Sequence, residues 1–414
     1  MSMNVSQKNK AERKGVNTEI VIVGGGMVGI SLALLLEHSS IPCSVTLIEQ
    51  TSLPESDAPL QSQTSFDERS TALSATSAAL FEHLGIWEKL SHRATAINTV
   101  HVSDKDHFGG LTLTAEEFHL PALGYVLPNR WMGQVLAQSL RNLPIKVVTP
   151  AKTLSANAVS GGYEIVIETG GARQTLTPDL LIIADGADSP LRTILGIDTK
   201  IHDYGQSALV ANVSLDRPHQ GVAYERFTSE GPLALLPLPD WQGQHRGTVV
   251  WTLKDPDAAR SLTRGELTQA LQQTFGYRAG IISAMGEYSI YPLRLVEANE
   301  QVRSHLVVMG NAAHFIHPVA GQGFNLALRG CQCLATVLQA PNGTEAFGSF
   351  TQLNTYLNRQ IHDQRLTIDL TNHLVKLFST RSAFHSMVRQ LGLIGMNFLS
   401  PIKGQFGQIM IGVR

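Results

Sequence analysis

The stretch EIVIVGGGMVGISLALLLE, from Glu19 to Glu37, decides the fold. An apolar strand pattern runs into three consecutive glycines, and an apolar helix pattern begins two residues later. In a strand–turn–helix unit that binds a dinucleotide, Gly24 allows a sharp turn, Gly26 clears the space for a pyrophosphate, and Gly29 lets the helix pack on the strand. The phosphates would then accept hydrogen bonds from N–H groups at the positive end of the helix.

A carboxylate follows at the distance that this unit requires. The second strand pattern, Val45 to Ile48, ends in Glu49, which lies 20 residues after Gly29. A carboxylate at this place accepts hydrogen bonds from the 2′-OH of a ribose and disfavours a phosphorylated ribose. The order of strand, glycines, helix and acid favours dinucleotide binding over a purely structural glycine turn. This stretch does not distinguish FAD from NAD.

The composition describes a globular chain of more than one domain. Its 414 residues suggest two or three domains, and 43% hydrophobic residues supply a sizeable core. A formal net charge of −2 gives no electrostatic footprint for nucleic acid. The three cysteines form neither a disulfide framework nor a Cys-x-x-Cys pair, so a reducing cytoplasm is the expected location.

The two ends of the chain differ from the middle. Residues 1–18 are polar and basic, so we expect a disordered tail rather than a signal peptide. No run of about 18 apolar residues occurs, so no transmembrane helix is expected. Residues 366–414 combine excess Lys and Arg with apolar residues at helical spacing. This helical region would hold a lipid tail, rest on an anionic membrane surface, or cap the fold or another subunit.

The second informative stretch is DLLIIADGADSPLR, from Asp179 to Arg192. Its wholly apolar strand is typical of a parallel strand that is buried on both faces. Asp185 and Gly186 follow at the carboxyl end of the strand, where doubly wound folds bind ligands. A carboxylate there can accept a hydroxyl proton, and ordinary turn chemistry is the alternative. Ser189 is expected to start a short helix.

The third informative stretch, HLVVMGNAAHFIHPVAGQGFNLALRGCQCLATVLQA, covers residues 305–340. Glycines before its long helix expose consecutive N–H groups to an anion, such as the one that forms on the N1–C2=O edge of a reduced flavin. His314 and His317 lie in a proline loop without a carboxylate cluster, so we expect histidines that are structural or that surround a cofactor, and no metal site. The candidate ligand-binding residues here are Gly310, Asn311, Gly321, Gln322, Gly323 and Asn325, the last as a side-chain donor.

Two arginines stand near predicted helices. Arg69 precedes a helix predicted over residues 74–83, where it would contact a cofactor or remain an exposed loop charge. Asn129 is expected to cap the next helix, which places Arg130 in the first turn. These local patterns assign no ligand to either arginine.

Two other regions predict β-structure. Residues 207–291 contain several strand patterns with hairpin-length gaps, which predict an antiparallel sheet and a candidate substrate domain. Residues 95–125 predict a second antiparallel element that is inserted into the first domain. Within one strand, Glu225 and Arg226 favour a cross-strand salt bridge over a functional role.

The three stretches together resemble the fingerprints of the class A flavoprotein aromatic hydroxylases, the para-hydroxybenzoate hydroxylase superfamily. They occur in the right order over nearly the whole chain. Within the superfamily, HPVAGQGFN, VHVSDKDHFG, YERFTSEGPLALLPLP and NHLVKLF resemble the ubiquinone-biosynthesis hydroxylases. Two departures stand out: Gly310-Asn311 replaces the usual Gly-Asp, and Ala327 and Gly330 stand where the signature of the group normally ends in Gly and Asp.

The resemblance implies FAD as cofactor, NAD(P)H as electron donor, O2 as oxidant, and a polyprenylated phenol such as a 2-polyprenyl-6-methoxyphenol as substrate. Hydroxylation would pass through a flavin C4a-hydroperoxide in a site closed to water. Glu49 would bind the adenosine ribose, Asp185 would lie near the pyrophosphate and ribityl chain, and residues 318–325 would lie beside the isoalloxazine ring. No acid–base residue is assigned. The implied FAD-binding residues are Gly24, Gly26, Gly29, Glu49, Arg69, Arg130, Asp185, Gly186, Gly310, Asn311, Pro318, Gly321, Gln322, Gly323 and Asn325.

The expected architecture is an α/β fold: a Rossmann-like FAD-binding domain with an interleaved antiparallel β-sheet substrate domain and a C-terminal helical segment. The alternatives are a ubiquinone-pathway hydroxylase acting on another ring carbon, a prenyl-chain reductase of the same fold and a non-catalytic lipid binder. A homo-oligomer, a ubiquinone-biosynthesis complex and peripheral contact with the inner membrane also stay open. The expected ranges are 19–94, 126–200 and 293–365 for the FAD-binding domain, 95–125 and 201–292 for the substrate domain, and 366–414 for the helical region.

Overall fold

The structure is a computed structural model. The predicted N-terminal tail, His317, Pro318 and most of the region 366–414 lie outside the residues that it describes. Among the described residues, no helix combines the length and the hydrophobicity that a membrane crossing requires. The described residues are 18–54, 69–105, 110–316, 321–339, 346–379, 403–404, 407–408 and 412.

The first strand–turn–helix unit forms the centre of a six-stranded sheet. Strand β1 (Thr18–Val23) lies between β2 (Cys43–Ile48) and β12 (Leu180–Ile183) and is parallel to both. The next strands outward, β8 and β19, are also parallel, and the short edge strand β18 is antiparallel. The predicted parallel strands are therefore confirmed. In order across the sheet, the strands are β18 (Val302–Arg303), β19 (Leu306–Val308), β12 (Leu180–Ile183), β1 (Thr18–Val23), β2 (Cys43–Ile48) and β8 (Ile145–Val148).

Both faces of this sheet are buried. Successive residues of a strand point to opposite faces, so Ile20 and Ile22 pack on one side while Val21 and Val23 pack on the other. The first side is covered by helices and the second by a three-stranded antiparallel meander. The helices are α1 (Met27–His38), α4 (Asn129–Leu140), α8 (Gln322–Gln339) and α9 (Phe350–Ser379), and the meander is β9 (Lys152–Val159), β10 (Gly162–Thr169) and β11 (Ala172–Leu176).

A small antiparallel sheet precedes α4 and corrects one sequence prediction. Helix α2 (Ala75–His83) begins after Ser74, as predicted. Helix α4 begins at Asn129 itself, with Pro128 at the N-cap, so the expected capping role of Asn129 is wrong. The Asn129 side chain instead accepts a 2.6 Å hydrogen bond from the Thr71 hydroxyl, which ties the helix to a neighbouring strand. The small sheet contains β3 (Ser70–Ser74), β7 (Gly124–Pro128) and β4 (Thr95–Ile97), and α3 (Trp87–Ser91) follows α2.

The second large sheet has eight strands and is mixed rather than antiparallel. Strand β5 (Thr99–Asp104) lies parallel to β14 (Val222–Thr228), whereas all other pairs of neighbouring strands in this sheet are antiparallel. The two parallel strands are far apart in sequence, so no hairpin fixes their relative direction. In order, the strands are β20 (His314–Phe315), β17 (Ile282–Ala298), β13 (Thr199–Leu215), β16 (Gln244–Leu253), β15 (Gly231–Trp241), β14 (Val222–Thr228), β5 (Thr99–Asp104) and β6 (Gly110–Thr114).

Helices cover one face of the eight-stranded sheet. Leu209, Leu235 and Trp251 pack on that face against Leu267 and Leu271 of a helix. The opposite face carries Ala208, Val210 and Val250, which line a cavity. The remaining short helix, α5, starts after Ser189 as predicted. The helices not yet given are α5 (Pro190–Ile194), α6 (Pro256–Ser261) and α7 (Arg264–Phe275).

Two isoleucines test the burial of the parallel sheet. Ile182 on β12 has no exposed surface, whereas Ile201 on β13 is 59% exposed. Ile182→Ala should lower the free energy of unfolding by about 2–5 kcal/mol, because it leaves a cavity in a packed core. Ile201→Ala should change it by less than about 0.5 kcal/mol. Urea unfolding followed by circular dichroism measures both, and equal losses would contradict the two-sided burial.

Candidate active site

A cavity of about 750 Å³ is lined by residues of both large sheets. This volume lies at the upper end of the usual range for ligand pockets, roughly 300–1,000 Å³. The three stretches singled out in the sequence all reach its wall. Gly29, Gly310 and Arg130 lie off the wall. The sequence-predicted residues on the wall are Gly24, Gly26, Glu49, Arg69, Asp185, Gly186, Asn311, Gly321, Gln322, Gly323 and Asn325.

The three glycines of the first turn differ in their surroundings. Gly24 has φ of +114°, and a side chain there would collide with the backbone of Ala184. A Cβ at Gly29 would collide with the carbonyl oxygen of Gly24, so this glycine sets the contact between helix and turn. A Cβ at Gly26 would meet no atom within 4 Å, because Gly26 faces open space at the N-terminus of α1. Only Gly26 therefore leaves room for a ligand.

Glu49 is held by hydrogen bonds that its sequence pattern does not predict. One carboxylate oxygen accepts a 2.6 Å hydrogen bond from the N–H of Gly25, and the other accepts two 2.9 Å bonds from the N–H and hydroxyl of Thr51. A carboxylate has about four acceptor positions, so roughly one remains for a ligand. Gly25 must be glycine because a Cβ would lie 2.6 Å from the Cβ of Glu49. Nothing in the local pattern signals this contact.

The turn after β12 presents a partly buried carboxyl group to the cavity. Asp185 accepts a 3.3 Å hydrogen bond from the N–H of Leu191, while its Oδ1 is buried without a partner among the described residues. Burial raises the pKa of this carboxyl, and hydrogen bonds from Ser189 and Leu191 oppose the rise. Gly186 has φ of +102°, a conformation that favours glycine. The backbone at Gly186 can therefore turn beside the cavity.

Arg192 joins two of the loops and was not predicted. Its guanidinium is buried and donates hydrogen bonds to the carbonyl oxygens of Ala312, at 2.6 Å, and Ala187, at 2.8 Å. Ala187 follows β12 and Ala312 follows β19, so Arg192 fixes the carboxyl ends of two parallel strands relative to each other. The signal in the sequence was an arginine within an otherwise apolar short helix, and its acceptors are backbone atoms that no pattern reveals.

Asn325 holds the start of α8 rather than offering donors to the cavity. Both amide hydrogens are used within the protein, at 2.8 Å to the carbonyl of Ala72 and 2.9 Å to that of Gly321. Its oxygen accepts from the N–H of Ser74 and the hydroxyl of Ser77. The expected role of Asn325 as a donor to a flavin is therefore not what this geometry supports. Its side chain instead fixes the position of the Gly321 turn.

Of three other residues that the sequence predicted, one lies on the cavity wall and two lie off it. Asn311 lies on the wall, while Gly310 packs against Val28 of α1 with φ of +60°. Arg130 lies off the wall because Asn129, one residue earlier, faces the cavity, and successive helical residues point about 100° apart.

His314 is buried on β20, and burial lowers the pKa of its imidazole to about 4. This histidine is therefore neutral near neutral pH.

Arg69 spans the space between the two sheets. The Arg69 guanidinium carbon lies 5.0 Å from the centre of the Tyr291 ring, within the range of a cation–π contact. Arg69 immediately precedes β3, and Tyr291 belongs to β17 of the eight-stranded sheet. Of the two arginines that the sequence singled out, only Arg69 lies on the cavity wall.

The part of the wall that belongs to the eight-stranded sheet is largely apolar. On three adjacent strands the small residues Ala208, Ala234 and Val250 face the cavity, whereas bulkier leucines and a tryptophan face the helices. Small residues on one face keep the cavity open. The apolar side chains of this sheet on the wall are Val100, Leu113, Ala208, Val210, Ala223, Ala234, Leu236, Val250, Pro292, Leu293 and Phe315.

Glu225 interrupts this apolar face and overturns a prediction. The expected cross-strand salt bridge of Glu225 is wrong, because its Oε1 is buried without a hydrogen-bond partner among the described residues. Glu225 is 8% exposed and lies on the cavity wall. Burial alone raises the pKa of this carboxyl to about 7. The adjacent Arg226 points to the opposite face of the sheet, where its guanidinium donates a hydrogen bond to the carbonyl oxygen of Thr274.

The raised pKa predicts a pH-dependent stability. The folded protein holds the Glu225 proton more tightly than the unfolded chain, whose glutamates titrate near 4.5. Stability from this group is therefore fully present below pH 4.5 and lost as the pH rises to about 7. Relative to Glu225→Gln, the wild type should lose roughly 3 kcal/mol of unfolding free energy over this interval. Urea titrations at several pH values measure the difference, and parallel curves would contradict the burial.

Comparison with known proteins places the chain in a family. The model of the FAD binding domain family matches residues 17–360. The ubiquinone hydroxylase UbiL of Rhodospirillum rubrum is 31% identical over 402 residues, which cover 95% of this chain and 89% of the relative. The 3-demethoxyubiquinol 3-hydroxylase of Escherichia coli K12 is 30% identical over 406 residues, which cover 96% and 99% of the two chains.

The solved structures show the same fold. The p-nitrophenol 4-monooxygenase PnpA from Pseudomonas putida superposes with a TM-score of 0.76 at 16% identity, covering 96% of this chain and 99% of that one. This likeness agrees with the predicted α/β architecture of a para-hydroxybenzoate hydroxylase-type fold. The chain therefore belongs to the FAD binding domain family and, within it, to the ubiquinone-biosynthesis hydroxylases, which are FAD-dependent aromatic monooxygenases.

Proposed function

We propose that this protein uses FAD, NAD(P)H and O2 to hydroxylate the ring of a polyprenylated phenol in ubiquinone biosynthesis, with a 2-polyprenyl-6-methoxyphenol as the first candidate substrate. One observation carries the proposal. A single cavity joins the polar turns at the carboxyl ends of the parallel strands to the apolar face of the second sheet. A redox cofactor and an apolar aromatic ring can therefore share one enclosed space.

The polar end of the cavity fits the nucleotide part of FAD. The open space at Gly26 admits a pyrophosphate at the positive end of α1, and Glu49 keeps an acceptor position for the adenosine ribose. Asp185 and Asn311 offer polar atoms for the ribityl chain. When bound, FAD supplies the redox and oxygen-transfer chemistry that no side chain can supply.

The start of α8 fits the ring of the cofactor. The side chain of Asn325 holds Gly321 in a turn with φ of +62° before the helix. The N–H groups in the first turn of a helix point out of its N-terminal end, where the helix dipole favours negative charge. We propose that these N–H groups stabilise negative charge on the flavin. Gly323 lies on the wall and keeps the approach open.

The apolar end of the cavity fits the substrate ring. A phenol with a prenyl chain gains free energy by leaving water for a wall of alanine and valine side chains. The same wall limits the entry of water, which protects a reactive oxygen donor. We accordingly assign substrate binding to the eight-stranded sheet and FAD binding to the six-stranded sheet, near the domain ranges that the sequence predicted.

NAD(P)H enters the proposal as a transient reductant. The chain contains one dinucleotide fingerprint, at Gly24, Gly26 and Gly29, which FAD would occupy. A nicotinamide nucleotide would therefore bind briefly without a site of that type. Because a polyprenyl chain partitions into a bilayer, we also propose that the protein works at a membrane surface.

A second ring position is the nearest alternative. The relative with 30% identity is named as a 3-demethoxyubiquinol 3-hydroxylase, so a more highly substituted ring is the competing substrate. Glu225 is the only acidic residue of the eight-stranded sheet among the described residues that line the cavity, so the acidic groups of this wall do not select between the two rings. Product structure decides between them.

The reaction itself is the direct test of function. With FAD, NAD(P)H, O2 and a short-chain 2-prenyl-6-methoxyphenol, the purified protein should consume O2 and release a product that is one oxygen atom heavier. Mass spectrometry and NMR identify the mass and the ring position. Saturation of the prenyl chain, or NAD(P)H oxidation without an oxygenated product from either candidate ring, would contradict the proposal.

Two glycines separate cofactor binding from folding. Gly26→Ala should leave the stability of the flavin-free protein unchanged, because its methyl group meets no protein atom within 4 Å. Its affinity for FAD should fall by roughly tenfold or more, since the methyl group occupies the proposed pyrophosphate space. Gly29→Ala should instead destabilise the flavin-free protein by about 1–3 kcal/mol through a clash with Gly24.

Fluorescence titration with FAD and thermal unfolding of the flavin-free variants measure these two effects. An unchanged FAD affinity in Gly26→Ala would contradict the proposal that the pyrophosphate of FAD binds at this turn. Equal stability losses in Gly26→Ala and Gly29→Ala would contradict the different surroundings of the two glycines.

A further inference from the structure

Glu225 occupies a position where every neighbour across the sheet is apolar. In the strand register, Glu225 on β14 pairs with Val102 of β5 on one side and with Ala234 of β15 on the other. The row continues from Ala234 to Val250 of β16 and then to Val210 of β13. One carboxyl group therefore stands in a row of five strands whose other four members are apolar. Glu225, Ala234, Val250 and Val210 all line the cavity.

Burial of this carboxyl group lowers the stability of the protein, and no hydrogen bond from the described residues to its Oε1 compensates for it. The buried Oε1 has no hydrogen-bond partner among the described residues, and an unsatisfied buried polar group requires an explanation. An apolar residue would suit the row better if packing were the only demand. A ligand that enters the cavity and offers a hydrogen-bond donor removes the conflict. A phenol offers such a hydroxyl group beside an apolar ring.

We propose that the Glu225 carboxylate accepts the hydroxyl hydrogen of the phenolic substrate and takes its proton during hydroxylation, which makes Glu225 a catalytic residue. This inference rests on the proposed function and deepens it. The phenol O–H bond breaks, an O–H bond forms on the carboxylate, and the electron pair stays on the phenol oxygen. The ring becomes more electron-rich at the carbons ortho and para to that oxygen.

The proton returns after oxygen transfer. The oxidant of the proposed function, O2 with two electrons from NAD(P)H, delivers one oxygen atom to a ring carbon and oxidises the ring by two electrons, while the other oxygen atom takes up the two electrons and two protons and leaves as water. The ring hydrogen at that carbon leaves as a proton, and Glu225 gives its own proton back to the phenol oxygen. The carboxylate is thereby restored. A carboxyl group whose pKa lies near neutrality is suited to both transfers.

Other titratable groups near this row do not compete for the role. On β14, Tyr224 points to the opposite face, where its ring packs on Phe275. Arg69 and Tyr291 are on the wall and contact each other, and no described charged side chain shifts the pKa of Glu225. Helix α9 also packs near β14 and β15, and its side chains from residue 370 onward lie outside the described part of the chain.

The remaining ionisable groups to consider are one carboxyl group on the neighbouring strand and three groups at the polar end of the cavity. Asp104 on β5 is buried beside Phe227 but does not line the cavity. The ionisable wall residues at the polar end are Glu49, Lys152 and Asp185.

The pH dependence of turnover tests the proton transfer. Wild-type kcat/KM for the phenol should rise with pH through about 7, as Glu225 loses its proton. Glu225→Gln should lack this rise and should be slower at pH 8 by roughly 10²–10⁴-fold, the usual contribution of a general base. Glu225→Asp should keep the rise at a reduced rate. Asp104→Asn removes a buried carboxyl outside the cavity, so it should keep the wild-type pH profile.

A binding experiment separates Glu225 from the proposed reaction. Calorimetry without NAD(P)H compares a short-chain prenyl phenol with its O-methyl ether, which lacks the hydroxyl hydrogen. At pH 8 the wild type should bind the phenol about tenfold more tightly than the ether, a difference of one charged hydrogen bond. In Glu225→Gln this preference should fall to roughly threefold or less, because an amide oxygen accepts only a neutral hydrogen bond, while FAD content stays unchanged.

The outcomes are distinguishable. If the wild type prefers the phenol through Glu225 but yields no oxygenated product, the proposed function fails and the contact with Glu225 stands. If Glu225→Gln keeps both the wild-type pH profile and the preference for the phenol, the inference is overturned whatever the reaction proves to be. If Glu225→Gln does not fold, Glu225→Asp and the ether comparison decide the question.

Discussion

The constraint on which the rest of the structure depends is the two-sided burial of the parallel sheet. Helices cover one face and a β-meander covers the other, so alternate residues such as Val21 and Ile22 are both buried. Backbone groups inside this sheet are paired by their neighbours, and only the strand ends carry groups that a ligand can reach. The glycine turn after β1, the Asp185 turn after β12 and the loop after β19 lie together at the carboxyl end. A nucleotide-sized site therefore follows from the arrangement of the strands.

The second sheet completes the site by contributing what the first lacks. The face of this sheet that borders the cavity supplies a largely apolar wall. Polar groups and apolar side chains therefore line different ends of one cavity. The polar end suits a dinucleotide cofactor, and the apolar end suits an aromatic ring with a long hydrocarbon substituent. Glu225 is the exception on the apolar side. Its burial makes the carboxyl costly in the ligand-free protein and, on our proposal, useful once a phenol is bound.

The sequence predicted the features that depend on local spacing. The turn at Gly24, the buried strand before Asp185 and the helix after Gly321 each combine a hydrophobic period with glycines, and the structure contains all three. The resemblance to flavin hydroxylases extended these motifs to a family, which the comparisons confirm.

What the sequence did not predict depends on contacts between distant residues. Arg192 bonds to a carbonyl 120 residues away, and Asn325 bonds to Ser74 across 251 residues. The parallel pairing of β5 with β14 has the same origin, since only the folded chain brings the two strands together. Glu225 was expected to form a salt bridge across the strands, but the strand register places the apolar residues Val102 and Ala234 beside it.

The central claim is that one extended FAD molecule contacts three separated turns at the same time. Hydrogen exchange of backbone amides, measured with and without FAD, tests it most directly. The account predicts slower exchange on FAD binding at residues 24–27, 185–191 and 321–325 together, with little change in the meander of residues 152–176. Protection at only one of the three turns, or mainly in the meander, would contradict it.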